Sequence, residues 1–194
     1  MFDVWIEDCQ TASNSLILKD KEMTIRIYLA GPGVFYPDPV AHSQELKEIC
    51  AQCGLEGVFP MDAGLDISNL SKHRAAHAIY EANIELIDSC CGVMADMQAF
   101  RGPGMDGGTA FEMGYAVAKG LPVVGYNARS TYLERTRGFY NGLQKQGRDE
   151  ADPLGLIVED FDLVDNLMMA CGAQAIVCDA QNAADLLSRL CAAD

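Results

Sequence analysis

Short apolar runs alternate with longer amphipathic stretches along most of the chain. An apolar run bounded by glycine or proline is typical of a buried strand, whereas apolar residues three and four positions apart are typical of a helix. This pattern predicts strands at 25–30, 57–60, 91–97, 121–126 and 175–178. It predicts helices at 39–53, 72–89, 108–120, 162–171 and 181–192. Such alternation predicts an α/β fold, a doubly wound, flavodoxin-like parallel sheet of about five strands with helices on both faces.

Two segments fall outside this alternation. Residues 1–22 are polar and lack a clear period, so we expect an N-terminal extension before a single α/β domain over residues 23–194. Residues 126–160 are longer than an ordinary connection between a strand and a helix. Loops of that length are often lids or interfaces, and the sequence leaves open whether this one covers a ligand or is a solvated excursion.

The composition narrows the class of partners. The chain has 194 residues, of which 49% are apolar, and this fits one compact domain. Its 28 acidic and 14 basic residues give a formal net charge of −14, and no basic cluster is present to bind phosphates. We therefore expect neither nucleic acid nor an anionic membrane surface as a partner. No apolar run approaches the roughly 20 residues that a membrane-spanning helix needs.

The N-terminus and the cysteines predict a cytoplasmic protein. The opening residues, MFDVWIEDCQ, are acidic where a signal peptide would be basic. Eight cysteines in a chain of this size favour reduced thiols in a cytosol over a disulfide framework. Cys50 and Cys53 have no further ligands at matching spacing, and His73 and His77 lack the glutamate of a zinc protease motif. The sequence therefore predicts no metal site.

The segment with the most unusual composition is the glycine-rich run FRGPGMDGGTAFEMGY over residues 100–115. It follows a predicted strand and opens a predicted helix, at the edge of a parallel sheet where ligands bind. Glu112 is expected in the first turn or so of that helix, where the helix dipole favours an ionised carboxylate. Asp106 lies six residues earlier, on the loop, and is expected to reach the same pocket.

Two carboxylates in different surroundings are the usual equipment for splitting a glycosidic bond, one as nucleophile and the other as proton donor. The plainer interpretation is that Glu112 complements the helix terminus and that Asp106 stabilises a turn. Spacing alone does not separate the two interpretations.

Two further segments carry candidate chemistry. In the first predicted strand and its loop, YLAGPGVF, Tyr28 offers a hydroxyl, Gly31 lets the backbone approach a ligand, and Phe35 offers a flat apolar face. Near the C-terminus, Asn166 stands in a polar pair that opens a helix carrying Met168. Taken singly, a strand tyrosine and a helical methionine are more often part of the core.

Together, these segments resemble the nucleoside 2-deoxyribosyltransferase family. The tyrosine-bearing first strand, the run FRGPGMDGGTAFEMGYAVAKGLPVVGY and the late NLM each look like a family element, in the family's order, over about residues 25–170. The resemblance implies that Glu112 attacks C1′ of the deoxyribose. It also implies that Asp106 assists departure of the base and that Tyr28 holds the nucleophile.

The resemblance further implies how the substrate is held. Phe35 packs near the sugar, close to the backbone of Gly31. Asn83 stands where some members carry a base-contacting aspartate, and its amide offers both a donor and an acceptor. Asn166 is expected to reach the sugar hydroxyls in the neighbouring subunit's site, with Met168 beside it. The expected assembly is a homo-oligomer, at least a dimer, with shared active sites.

The activity implied by the resemblance is transfer of the 2-deoxyribosyl group between nucleobases, by a retaining double displacement through a covalent glycosyl-enzyme on Glu112. The partners are a deoxynucleoside and a free nucleobase, and no metal or organic cofactor is needed because the carboxylate supplies the covalent step. Three alternatives stay open. The stretch PGMDGGTAFE is also similar to a motif of cytokinin-activating phosphoribohydrolases, and related enzymes hydrolyse nucleosides or nucleoside 5′-monophosphates. A non-catalytic nucleoside-binding protein would keep the same pocket.

Overall fold

The computed structural model describes residues 24–192, and the extension predicted over residues 1–22 lies outside this range. The strands are β1 Ile25–Ala30, β2 Leu55–Val58, β3 Gly92–Asp96, β4 Val123–Tyr126, β5 Gln144–Gln146, β6 Asp149–Ala151 and β7 Ala175–Val177. The helices are α1 Pro39–Gln52, α2 Lys72–Asp88, α3 Gly107–Ala118, α4 Tyr132–Phe139, α5 Leu167–Gly172 and α6 Ala180–Leu190. Short 3₁₀ turns follow β1 and β2, at Pro32–Phe35 and Pro60–Ala63. No helix between residues 24 and 192 is both long and apolar enough to cross a membrane.

Five strands form a parallel sheet in the order β2-β1-β3-β4-β7. The chain moves from β1 outward to β2 and then crosses back to β3, so the direction of winding reverses between β1 and β3. Sheets of this kind bind ligands in the crevice at the carboxyl ends of the strands where that reversal occurs. The α/β fold with a flavodoxin-like parallel sheet, predicted from the sequence, is confirmed.

Helices cover both faces of the sheet. The side chains of each strand alternate between the two faces, so each strand contributes to two cores. In β1, Ile27 and Leu29 belong to a core shared with α1 and α6, whereas Tyr28 and Ala30 belong to a core shared with α2 and α3. All four residues are at most 2% exposed. Burying a large apolar side chain contributes roughly 1.5–3 kcal/mol to the stability of the fold. Packing on both faces of the sheet therefore stabilises the position of β1.

Two predicted boundaries are wrong. The strand predicted at 57–60 is Leu55–Val58, because Pro60 starts a 3₁₀ turn and has no amide to donate to a sheet. The helix predicted at 162–171 begins only at Leu167, because the Asn166 side chain caps it. The Asn166 Oδ1 atom accepts a hydrogen bond from the Met168 amide at 3.0 Å.

The segment over residues 126–160 contains structure that the apolar pattern did not predict, namely α4 and an antiparallel β5–β6 hairpin. The helix α4 is only eight residues long, too short for a clear period. A sequence signal for it does exist, since Thr131 and Glu134 form a capping box. The Thr131 Oγ1 accepts from the Glu134 amide at 3.2 Å, and Glu134 Oε2 accepts from the Thr131 amide at 3.0 Å.

Candidate active site

A cavity of about 540 Å³ lies beside the residues that follow β1 and β3. Its volume is in the range of small-molecule binding sites. The predicted site residues that line it are Gly31, Phe35, Asn83, Asp106 and Glu112. Much of the remaining wall is apolar and is formed by Val34, Met61, Leu65, Ile67 and Ile79. The structure thus brings residues from four separate segments to one cavity.

Tyr28 and Glu112 are joined by a hydrogen bond, in which the Tyr28 hydroxyl donates to Glu112 Oε1 at 2.6 Å. Tyr28 is fully buried and points from β1 toward α3. Burial and the neighbouring Glu112 carboxylate raise the pKa of Tyr28 far above its ordinary value. The phenol therefore stays protonated and remains a hydrogen-bond donor to Glu112.

Glu112 does not lie where the sequence analysis expected it. Because α3 begins at Gly107, Glu112 is in the second turn and not at the helix end. The dipole effect is confined to the first turn, and burial dominates instead. The pKa of Glu112 is raised to about 7 overall: burial raises it most, the Tyr28 hydrogen bond lowers it, and the nearby Asp106 carboxylate raises it. The expectation of a carboxylate held ionised by the helix terminus is therefore wrong.

Asp106 caps α3 and also lines the cavity. Its Oδ2 atom accepts hydrogen bonds from the Thr109 amide at 2.9 Å and from Thr109 Oγ1 at 3.1 Å. A Cβ atom on Gly108 would lie 3.0 Å from the same Oδ2, so a side chain there would crowd the carboxylate. Asp106 therefore stabilises the turn, as the plainer interpretation expected, and it also lines the cavity.

Gly31 and Phe35 form the part of the cavity that follows β1. A Cβ atom on Gly31 would lie 2.9 Å from the Cβ of Asp96, so only glycine lets β1 end this close to β3. Phe35 is 56% exposed and stacks on Phe100, with ring centroids 5.3 Å apart. The Arg101 guanidinium lies 5.1 Å and 4.6 Å from the centroids of these two rings. Phe35 lines the cavity, and Phe100 and Arg101 pack against its ring.

Asn166 and Met168 do not line the cavity of their own chain. Asn166 caps α5 and donates a side-chain hydrogen bond to Glu159. Met168 is 73% exposed. Among the described residues, the structure brings six predicted site residues together around the cavity, namely Tyr28, Gly31, Phe35, Asn83, Asp106 and Glu112. Asn166, which caps α5, and Met168, which lies in α5, are not among them.

Residues 27–168 match the sequence model of the family described as nucleoside 2-deoxyribosyltransferase, which covers more than half of the chain. The chain belongs to the nucleoside 2-deoxyribosyltransferase family. Among solved structures it is similar to the 2-desoxiribosyltransferase from Leishmania mexicana, with a TM-score of 0.59 and 29% identity over 78% of this chain and 89% of that one. The family and this structural likeness support a nucleoside deoxyribosyltransferase-type enzyme.

Other relatives of this family member add to the picture of its fold. A 2-deoxyribosyltransferase from Bacillus psychrosaccharolyticus is 18% identical, with a TM-score of 0.52 over 82% of this chain and 90% of that one. A conserved protein from Enterococcus faecalis V583 is 18% identical, with a TM-score of 0.56 over 86% and 99%. The uncharacterized protein C191.05c of Schizosaccharomyces pombe is 33% identical over 159 residues, 73% of this chain and 74% of its own length.

A buried ion pair beside the glycine-rich loop, formed by Arg135 and Asp165, was not predicted from the sequence. Asp165 is 2% exposed and also accepts a hydrogen bond from the Met105 amide at 3.1 Å. Arg135 lies on the unpredicted helix α4, and Met105 is 60 residues from Asp165 along the chain. Contacts over such separations leave no local pattern, so no signal in the sequence marks them.

Within residues 24–192, no cluster of three or more histidine, cysteine, aspartate or glutamate side chains is arranged to hold a metal ion. The rings of His73 and His77 are near each other on α2, with centroids 4.7 Å apart. Two ligands on an exposed helix face do not make a structural or catalytic zinc site, which needs three or four protein ligands.

Proposed function

We propose that this family member transfers the 2-deoxyribosyl group between nucleobases by a retaining double displacement, with Glu112 as the nucleophile. The observation that carries the proposal is the 2.6 Å hydrogen bond that Tyr28 donates to Glu112. Glu112 and Asp106 both line the cavity. A buried carboxylate held by a neutral phenol, with a second carboxyl close by, is suited to displacement at a sugar carbon. The match to the family supports the same class of reaction.

In the first step, the Glu112 carboxylate attacks C1′ of the deoxynucleoside and forms an ester to the sugar. The bond from C1′ to the base nitrogen breaks, its electron pair stays on the base, and Asp106 gives that nitrogen a proton directly or through water. In the second step, a nitrogen of the incoming base attacks C1′, and Glu112 departs as a carboxylate. The incoming base loses a proton to Asp106, so two inversions restore the original configuration.

The pKa of Glu112 supports its role as the nucleophile. A pKa of about 7 for Glu112 leaves a substantial ionised fraction near neutral pH. The carboxylate is also poorly solvated, so little water must be removed before it attacks. Tyr28 lowers the pKa of Glu112 and thereby keeps more of it ionised. The reaction needs no metal or organic cofactor, because the carboxylate supplies the covalent step.

The remaining wall of the cavity supports binding of a nucleoside. The apolar side chains of Met61, Leu65 and Ile67 suit the faces of a base, and the Asn83 amide supplies one donor and one acceptor for its edge. Phe35 and the Gly31 backbone are assigned to the sugar. We propose that Asn166 and Met168 complete the site of a second copy of the chain, so that a homodimer is the smallest active unit.

A second candidate function, hydrolysis of nucleoside 5′-monophosphates, is favoured by Arg101. Its guanidinium lies 5.1 Å from the centroid of the Phe35 ring at the edge of the cavity. An arginine there is able to attract a phosphate, since guanidinium–phosphate contacts are among the stronger hydrogen bonds in proteins. Release of free base from a deoxynucleoside 5′-monophosphate, with no release from the deoxynucleoside, would favour this candidate.

The deciding experiment is base exchange. Purified protein is incubated with one deoxynucleoside and a panel of free purines and pyrimidines, and the products are separated by chromatography. We expect new deoxynucleosides in proportion to enzyme and time. The variant Glu112→Gln, purified in parallel, controls for contaminating host enzymes and should form none. Absence of both new nucleosides and released base, from the deoxynucleoside and from its 5′-monophosphate, alongside measurable nucleoside binding, would favour a non-catalytic binding protein.

A further inference from the structure

The buried ion pair of Arg135 and Asp165 lies beside the glycine-rich loop. The Asp165 Oδ2 atom accepts from Nη2 of Arg135 at 2.6 Å, and Asp165 is 2% exposed. Arg135 also donates to the Val164 carbonyl, while its buried Nε has no hydrogen-bond partner in the described part of the chain. A buried pair of this kind adds little net stability, because desolvation of both charges offsets their attraction. The other hydrogen bonds of Asp165 indicate what this ion pair contributes to the site.

Asp165 holds the backbone immediately before Asp106. Its Oδ2 atom accepts from the Met105 amide at 3.1 Å, and Met105 is itself buried in the core around α3. A hydrogen bond from the Phe100 amide to the Gly104 carbonyl, at 2.9 Å, closes the loop just before that anchor. The loop contains several glycines, which offer little resistance to movement by themselves. The backbone immediately before Asp106 is therefore held by a carboxylate from a distant segment.

We infer that Asp165 is a positioning residue, which fixes the backbone of Met105 and so directs the Asp106 carboxyl toward the departing base. The inference rests on the proposed function, in which Asp106 is the proton donor. Asp165→Asn preserves size but removes the charge that orders Arg135, and its amide group competes for the Met105 contact. Misplacement of a catalytic group by about 1 Å lowers rates by about 100-fold in enzymes.

Two leaving groups with different needs for a proton provide the test. Guanine must be protonated as it leaves deoxyguanosine, whereas 7-methylguanine leaves 7-methyl-2′-deoxyguanosine as a neutral molecule without gaining a proton. For a wild-type protein that accepts only pyrimidines, thymidine and 5-fluoro-2′-deoxyuridine take their places, since the fluorinated base is the better leaving group. We expect Asp165→Asn to lower kcat about 10- to 100-fold for the demanding substrate and less than about threefold for the activated one.

A buried aspartate that does not line the cavity provides the matched control. Asp152 is 8% exposed and accepts from the amides of Leu154 and Leu156 at 2.8 and 3.0 Å. Asp152→Asn should lower the melting temperature without distinguishing the two substrates. If the Asp165→Asn variant does not fold, the Arg135→Lys variant is tested in its place. Lysine keeps the charge but not the planar guanidinium, so we expect the same selective loss with the demanding substrate.

Each outcome decides the inference. Selective loss with the demanding substrate supports it. Equal loss with both substrates, or no loss with either, overturns it and leaves the proposed transfer reaction standing. Failure of the wild-type protein to cleave any deoxynucleoside contradicts the proposed function itself, and the inference falls with it.

Discussion

The Tyr28 hydroxyl lies 2.6 Å from Glu112 Oε1, and this hydrogen bond joins the first strand of the sheet to the helix that opens after the glycine-rich loop. Two opposing effects meet at Glu112. Burial raises its pKa and the Tyr28 hydrogen bond lowers it, and the net value is about 7. The result is a poorly solvated carboxyl that still ionises near neutral pH, and most of the following predictions depend on that balance.

Replacing Glu112 by alanine should abolish base exchange. A covalent nucleophile has no substitute in the cavity, so we expect a fall in kcat of about 10⁴-fold or more. Mass spectrometry of the acid-quenched wild-type protein with a deoxynucleoside should show an adduct of one deoxyribosyl unit, and the variant should show none. Glu45→Ala, on the exposed side of α1, is the control and should keep both activity and adduct. Near-normal exchange by the Glu112 variant would rule out the mechanism.

Tyr28→Phe should move the acid limb of the kcat/KM profile to higher pH. The hydroxyl stabilises the ionised form of Glu112, so its removal raises the pKa of Glu112 above about 7. Activity at pH 6 should therefore fall more than activity at pH 8.5, in a profile measured from pH 5 to 9.

The control for this shift is Tyr115→Phe, in which the lost hydroxyl donates to Asp88 at 2.8 Å outside the cavity. Its acid limb should match that of the wild-type protein. An unchanged acid limb in Tyr28→Phe would mean that Glu112 ionisation does not limit the reaction.

Glu112→Gln should stabilise the folded protein more at pH 8 than at pH 5. The pKa of Glu112 is about 7 when folded and close to 4.5 when unfolded, so folding favours the protonated form. This contribution to stability is present below pH 4.5 and is lost as the pH rises through 7. Glutamine stays neutral, and its gain over glutamate should be about 2 kcal/mol larger at pH 8 than at pH 5. Urea unfolding of both proteins at the two pH values measures it, and a pH-independent difference would contradict the raised pKa.

Shared sites predict complementation between two inactive variants. Glu112→Ala and Asn166→Ala subunits are mixed, with a step that lets subunits exchange. A mixed dimer has one site with both wild-type residues and one with both substitutions. After random reassortment half the dimers are mixed, so activity should recover to about a quarter of wild type.

The exchange itself is checked with differently tagged subunits. Recovery of activity in step with the formation of mixed dimers supports the assignment of Asn166 to the partner's site. No recovery after demonstrated exchange would place Asn166 in the site of its own chain or outside catalysis.

The sequence by itself determined the architecture and the location of the candidate chemistry. Apolar periods, glycine stops and caps act over a few residues, so they are legible along the chain and predicted the five strands of the sheet within a few residues. The run around Asp106 and Glu112 was recognisable for the same reason, since a glycine-rich turn between a strand and a helix is a local feature. The part of the chain that matches the family, residues 27–168, includes this run.

Only the tertiary structure decided the raised pKa of Glu112 and the hydrogen bond from the Met105 amide to Asp165. The partners Tyr28 and Glu112 are 84 residues apart, and Met105 and Asp165 are 60 apart, so neither pair has a sequence pattern. The pKa of a carboxyl depends on how much water and charge surround it after folding, which is a property of packing. The sequence placed Glu112 near a helix N-terminus, and this position predicted an ionised carboxylate. In the folded protein, burial against β1 raises the pKa of Glu112 instead.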